Sequence, residues 1–68
     1  MTVDTRGLAC PQPVVMTRNA LAKDNKVDVL VDNVTAKNNV IRFASNHGCT
    51  VSVEAAENVD EWIIKIEK

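Results

Sequence analysis

The sequence predicts an α+β fold: a two-layer α/β sandwich in the order β-α-β-α-β-β, with two helices on one face of a mixed four-stranded sheet. Three observations predict it. Two stretches carry apolar residues at helical spacing, and each follows a short β-forming segment. Two further segments alternate apolar and polar residues and close the chain. Amphipathic helices need a sheet face to cover, and two layers are the smallest arrangement that supplies one.

The elements follow in order. Thr2 to Thr5 is a short strand of β-formers ahead of a turn. Arg6-Gly7-Leu8-Ala9 is a connection in which Gly7 is free to take backbone angles other residues avoid. Pro11 to about Lys23 reads as a helix, with Val14, Val15, Arg18, Leu21 and Ala22 at helical spacing and Ala20 beside them. Pro11 suits the first helical position, and Pro13 still falls within the first turn.

Val27 to Asp32 alternates as a strand, and Asp32-Asn33 offers turn chemistry. Thr35 is the expected N-cap of a second helix, carried by Ala36, Val40, Phe43, Ala44 and His47 with Ile41 beside them. Gly48 is its natural stop. Cys49 to Glu54 alternates, with Val51 and Val53 on one face. Trp62, Ile64 and Ile66 then alternate with Ile63, Lys65 and Glu67. The two crossovers call for parallel strands with right-handed connections. The short turn before the last strand calls for an antiparallel pair.

Length and composition limit the function. The chain has 68 residues, which makes residues 1–68 one small domain with a modest core. Trp62 and Phe43 are its only large rings, so the core is aliphatic. Eight basic and nine acidic residues leave a net charge of −1, without the clustered basic face expected of a nucleic-acid binder. No apolar run approaches the ~20 residues that cross a bilayer. Met1 to Arg6 lacks the apolar stretch of a signal peptide, so the expectation is a cytoplasmic monomer that meets no membrane. The cysteines, Cys10 and Cys49, form no Cys-x-x-Cys pair, and His47 is the only histidine. A zinc site normally takes four such ligands, so no metal and no cofactor is expected.

Cys10 is the candidate catalytic residue. It immediately precedes the first predicted helix, at the N-cap or beside it. The helix N-terminus favours thiolate over thiol by about 0.3–1 kcal/mol at an exposed site. That draws a thiol from its ordinary value of about 8.5 toward neutrality. Pro13 has no N–H to offer the sulfur, which leaves Gln12 as the main first-turn donor. The expected result is a moderately activated thiolate, which keeps more nucleophilicity than a very acidic one. No resolving cysteine stands nearby, and no Ser/His/Asp set is visible. A nucleophile without its own base fits a carrier better than a stand-alone catalyst.

The string Asp4-Thr5-Arg6-Gly7-Leu8-Ala9-Cys10-Pro11-Gln12-Pro13 resembles the Cys-Pro-x-Pro signature of the TusA/SirA-like sulfur-carrier family, with the match running on into Ala20-Leu21. The second half, from Val31-Asp32-Asn33 through Asn39-Val40, Arg42-Phe43-Ala44 and Gly48-Cys49, is similar to the amino-terminal domain of YedF-like selenium-metabolism proteins. The resemblance implies a two-layer sandwich with both helices on one side. It also implies that Cys10 accepts sulfur as a persulfide from a donor such as a cysteine desulfurase and relays it to an acceptor protein. This would be a sulfurtransferase-type relay, serving tRNA thiolation, sulfur oxidation, molybdenum-cofactor enzymes or selenium metabolism. A stand-alone protein and one domain of a longer chain both fit.

Around Cys10, Pro11 and Pro13 are expected to fix the helix start, and Gly7 to set the loop backbone. Arg6 would stabilise the thiolate or meet a partner, or simply be a solvated loop arginine. Cys49 is a strand residue at the sheet margin or a second thiol that takes sulfur or pairs with Cys10. His47 is expected to complement the end of its helix. Arg18, Lys37 and Arg42 read as solvated helix residues. The rival functional readings are a protein-binding or regulatory module and a selenium-handling variant with the same cysteine chemistry.

Overall fold

A computed structural model describes residues 1–8, 12–56 and 60–68. The elements are β1 (Thr2–Asp4), α1 (Gln12–Leu21), β2 (Lys26–Val31), α2 (Val34–Asn46), β3 (Thr50–Ala55) and β4 (Trp62–Glu67). They form one four-stranded sheet in the spatial order β1-β2-β4-β3. β1 and β2 are parallel, with Val3 opposite Val29. β4 runs antiparallel to both β2 and β3. β3 therefore runs in the same direction as β2, as its crossover requires, but β4 returns between them. The mixed α+β sheet matches the expected fold class.

The side-chain alternation of the strands builds the core. Val27, Val29 and Val31 of β2 are fully buried, with Ile66 and Ile64 of β4 paired against Val27 and Val29. Val3 extends this face into β1, and Val51 of β3 is half-buried beside Ile66. Among the described residues, no helix lies over the other face of the sheet. That face carries half-buried Leu30 and Ile63 among polar neighbours, with Lys65 paired to Glu54 at 3.3 Å.

The helices cover the apolar face. α2 buries Ala36, Val40 and Ala44, with Phe43 and Ile41 packed at the margin of the core. Its N-cap is Asn33, two residues earlier than expected at Thr35, and the Asn33 side chain accepts from the Ala36 N–H at 2.7 Å. Asn33 wins because β2 already ends at Val31, and Asn33, still extended, can turn its own amide onto the first helical turn. Gly48 follows the C-cap His47 with φ +77°, the left-handed stop its position predicts.

α1 turns a different face inward from the one its aliphatic residues suggest. Pro13, Thr17, Ala20 and Leu21 are buried, while Val14, Val15 and Met16 are half-buried and Arg18 and Ala22 exposed. Thr17 can lie inside because its hydroxyl donates to the Pro13 carbonyl at 2.7 Å, so no polar group is left unpaired. That bond also uses a carbonyl within the helix, a habit of threonine that hides it from an apolar-periodicity reading.

Candidate functional site

Cys10, Ala9 and Pro11 lie outside the described residues. What the structure gives is the framework on both sides of them. The chain leaves β1 at the edge of the sheet where β1 and β2 end, and Gln12 opens α1. Thr5 closes the strand firmly. It is 1% exposed, its N–H donates to the Leu30 carbonyl at 3.0 Å, and its hydroxyl donates to the same oxygen at 2.6 Å. The Leu8 N–H then folds back to the Thr5 carbonyl at 3.2 Å, making a turn across Arg6 and Gly7.

Gly7 sits in that turn with φ +79°, a conformation in which any other residue carries strain. Its N–H donates to the Asp32 carboxylate at 2.7 Å, which ties the loop to the end of β2. The second Asp32 oxygen accepts from the Asn33 side chain at 3.2 Å. The residue expected to set the loop backbone therefore does so, with a partner that the sequence shows only as part of a turn.

Arg6 is committed to carboxylates. Its Nε and Nη2 donate to Asp4 Oδ1 and Oδ2 at 2.9 and 2.8 Å, a two-point clamp, and its Nη1 donates to Glu61 Oε1 at 3.2 Å. The Asp4 carboxylate also accepts from the Arg6 backbone N–H at 3.0 Å. These contacts with Arg6, side chain first and backbone second, hold the Asp4 carboxyl at a pKa of about 2. Asp4 and then Glu61 push the guanidinium further above its already high value. The side chain thus joins β1 to the segment before β4, 55 residues away, while staying exposed to solvent.

The same edge of the sheet carries Trp62, half-buried against the core, with the Lys37 ammonium 4.6 Å from its ring centre. Leu8 and Val34 stand out there as exposed apolar side chains, 37% and 53% accessible. Gln12 is exposed, and Pro13 is buried under the first turn of α1. Asp32, Asn33 and Glu61 are the contributors that sequence reasoning did not single out. The Asp32-Asn33 pair carried a signal as turn formers, whereas Glu61 carried none.

Cys49 lies at the other end of the molecule. It is a free, half-buried thiol packed against the core, beside Leu21 and Ala22 at the far end of α1 from Gln12. A ten-residue helix is about 15 Å long. Cys49 lines a cavity of about 420 Å³ with Arg18, Phe43, His47 and Lys68. His47 is exposed, its Nδ1 is 3.0 Å from the Phe43 carbonyl oxygen, and its ring centre is 4.2 Å from that of Phe43. His47 is thus the C-cap of α2, one residue beyond the last turn in which the sequence placed it. Among the described residues, no cluster of three or more His, Cys, Asp or Glu is placed to hold a metal ion. No helix among them is long and apolar enough to cross a membrane.

Known proteins similar to this chain in sequence and in fold agree with one another. The family model described as sulfurtransferase TusA matches residues 1–68. The protein of Methanocaldococcus jannaschii described as a "putative sulfur carrier protein" is 39% identical over 69 residues, covering 97% of this chain and 91% of its own. The crystal structure of a SirA-like protein from Desulfitobacterium hafniense superposes with a TM-score of 0.86 at 30% identity, covering 97% of this chain and 93% of that one. With the family match, the carrier relative and the fold in agreement, this chain belongs to the sulfurtransferase TusA family.

Proposed function

We propose that this protein is a sulfur carrier that holds sulfur as a persulfide on Cys10 and passes it between two partner proteins. The observation that carries the reading is the match of the sulfurtransferase TusA family along the whole chain, Cys10-Pro11-Gln12-Pro13 included.

The chemistry balances without a further reagent. The Cys10 thiolate attacks the outer sulfur of a donor persulfide, such as that of a cysteine desulfurase. The donor S–S bond breaks, a new S–S bond forms on Cys10, and the donor cysteine leaves as thiolate. Unloading repeats the step with an acceptor thiolate as nucleophile and Cys10 as leaving group. A leaving group must be a stable thiolate and a nucleophile must not be too stable, so moderate activation suits both halves.

The surrounding residues have supporting roles. The N-terminus of α1 favours the anionic sulfur, Gln12 offers a first-turn N–H, and Pro11 and Pro13 preset the helix start. Arg6 and Gly7 hold the loop ahead of Cys10 through Asp4, Glu61 and Asp32. The exposed Leu8 and Val34 give partner proteins an apolar surface on the same edge. In this reading the relay needs only Cys10, and Cys49, a half-buried thiol at the far end of α1 from Gln12, fills space there.

The test is to incubate the protein with a cysteine desulfurase, cysteine and pyridoxal phosphate and record the intact mass. The wild type and Cys49→Ala gain one sulfur, and Cys10→Ala gains none. Loading that persists in Cys10→Ala and disappears in Cys49→Ala overturns the proposal.

A further inference from the structure

We infer that the outer edge of β3 is a self-association surface, on which a second copy of this chain adds its own β3 antiparallel and joins two four-stranded sheets into one. The inference is independent of the carrier reading.

β3 is the last strand in the sheet order, so one of its sides meets no other strand among the described residues. Two backbone bonds fix the phase of the ladder. The Ala56 N–H donates to the Glu61 carbonyl at 3.0 Å, and the Lys68 N–H donates to the Asn25 carbonyl at 2.9 Å. Hydrogen-bonded pairs alternate along antiparallel strands. Thr50, Ser52 and Glu54 thus bond to β4, and the backbone N–H and C=O of Val51, Val53 and Ala55 point outward.

The two edges of the sheet differ in their protection. β1 is three residues long, and a short edge strand is one of the usual safeguards against pairing. β3 has six residues, no proline, no lysine and an unbroken register with β4. Its single charge, Glu54, is held by Lys65 at 3.3 Å. Val53 pairs with buried Ile64 on the face the helices cover, yet is 41% exposed, so the helical layer stops short of this edge.

The strand is complementary to itself. With Val53 on a two-fold axis perpendicular to the sheet, Val53 meets Val53 of the second copy and Val51 meets its Ala55. All three outward-pointing residues are then in hydrogen-bonding pairs. Apolar side chains meet on the helix-covered face. On the open face Ser52 meets Glu54 of the second copy, and no like charges stand opposite each other. The helices of both copies stay on one side. The edges that carry Leu8 and Val34 point away from each other, so neither is covered. One strand pair buries less than the roughly 1,000 Å² of a stable interface, so the dimer is weak and forms as concentration rises.

Sedimentation velocity from micromolar to millimolar protein, with reductant present, tests this. The expected result is a concentration-dependent shift from monomer to dimer, with the dissociation constant raised about tenfold or more in Val53→Lys, which sets like charges face to face. Amide exchange supplies a readout that needs no variant. The N–H groups of Val51, Val53 and Ala55 gain protection with concentration, while those of Ser52 and Glu54 are protected throughout. A chain that stays monomeric across the range, a dimer that folded Val53→Lys leaves intact, or protection gained at β1 instead of β3 overturns the inference.

Discussion

The two ends of the sheet are built differently: the described residues that flank Cys10 in sequence lie at one, and Cys49 lies at the other. At the edge where β1 and β2 end, the residues flanking Cys10 are held by polar ties from three directions: Thr5 to Leu30, Gly7 to Asp32, and Arg6 to Asp4 and Glu61. At the opposite edge, half-buried Cys49 packs against the core and lines a cavity with Leu21, Ala22, Phe43, Arg18, His47 and Lys68. Among the described residues, no acidic side chain lines that cavity. A thiol becomes useful for transfer when the backbone around it is fixed and partners can approach it. The first edge has both the ties and exposed apolar residues, Leu8 and Val34, beside them. The second has a thiol that fills space.

Each end also holds one glycine in the left-handed region, Gly7 at φ +79° and Gly48 at φ +77°. A Cβ on either would meet nothing within 4 Å, so alanine brings backbone strain alone. Gly7→Ala and Gly48→Ala should each lower stability by about 1–2 kcal/mol, read from urea unfolding midpoints. Their effect on sulfur transfer separates them. Gly7→Ala slows loading of Cys10, whereas Gly48→Ala leaves it unchanged. Equal slowing by both would erase the distinction between the ends.

A smaller effect comes from the cap. Asn33→Ala removes the 2.7 Å bond to Ala36 and the contact to Asp32, and should cost about 1 kcal/mol. The companion Thr35→Ala, at the cap position suggested by sequence, should cost clearly less. Thermal unfolding of the two variants side by side decides which residue starts α2.

The smallest effect is a pH dependence at the Cys10 edge. The Asp4 carboxyl is depressed from 3.8 to about 2 in the folded protein. A depressed carboxyl stabilises the fold above its unfolded value and loses that contribution as pH falls through the folded one. Wild type should therefore be more stable than Asp4→Asn at pH 5, and the difference should shrink between about 4 and 2. Because the pair is exposed to solvent, raising the salt concentration should narrow the gap as well. A gap that stays constant across this range would mean that the Arg6 clamp does not form in solution.

Much of the fold was legible because alternation and helical periodicity survive in so short a chain. Val27, Val29 and Val31 read as one strand face and are one. Gly48 reads as a helix stop and has the required φ. What escaped was non-local or carried by polar residues. The return of β4 between β2 and β3 is a choice of sheet partner that periodicity does not encode. Thr17 is buried because its hydroxyl finds the Pro13 carbonyl, which no apolar count anticipates. Arg6 looked like a free cation beside a thiol, and its engagement with Glu61 spans 55 residues. The family string pointed to Cys10, while the ties that fix its flanks became visible only in the fold.

The most direct measurement locates the added sulfur in the wild-type protein, where both thiols compete in the same sample. After loading by a cysteine desulfurase, persulfides are alkylated, the chain is digested, and the peptides holding Cys10 and Cys49 are compared by mass. The added sulfur should lie on the Cys10 peptide, with the Cys49 peptide carrying only a simple alkyl group. Sulfur divided evenly between the two, or found on Cys49, would contradict the account.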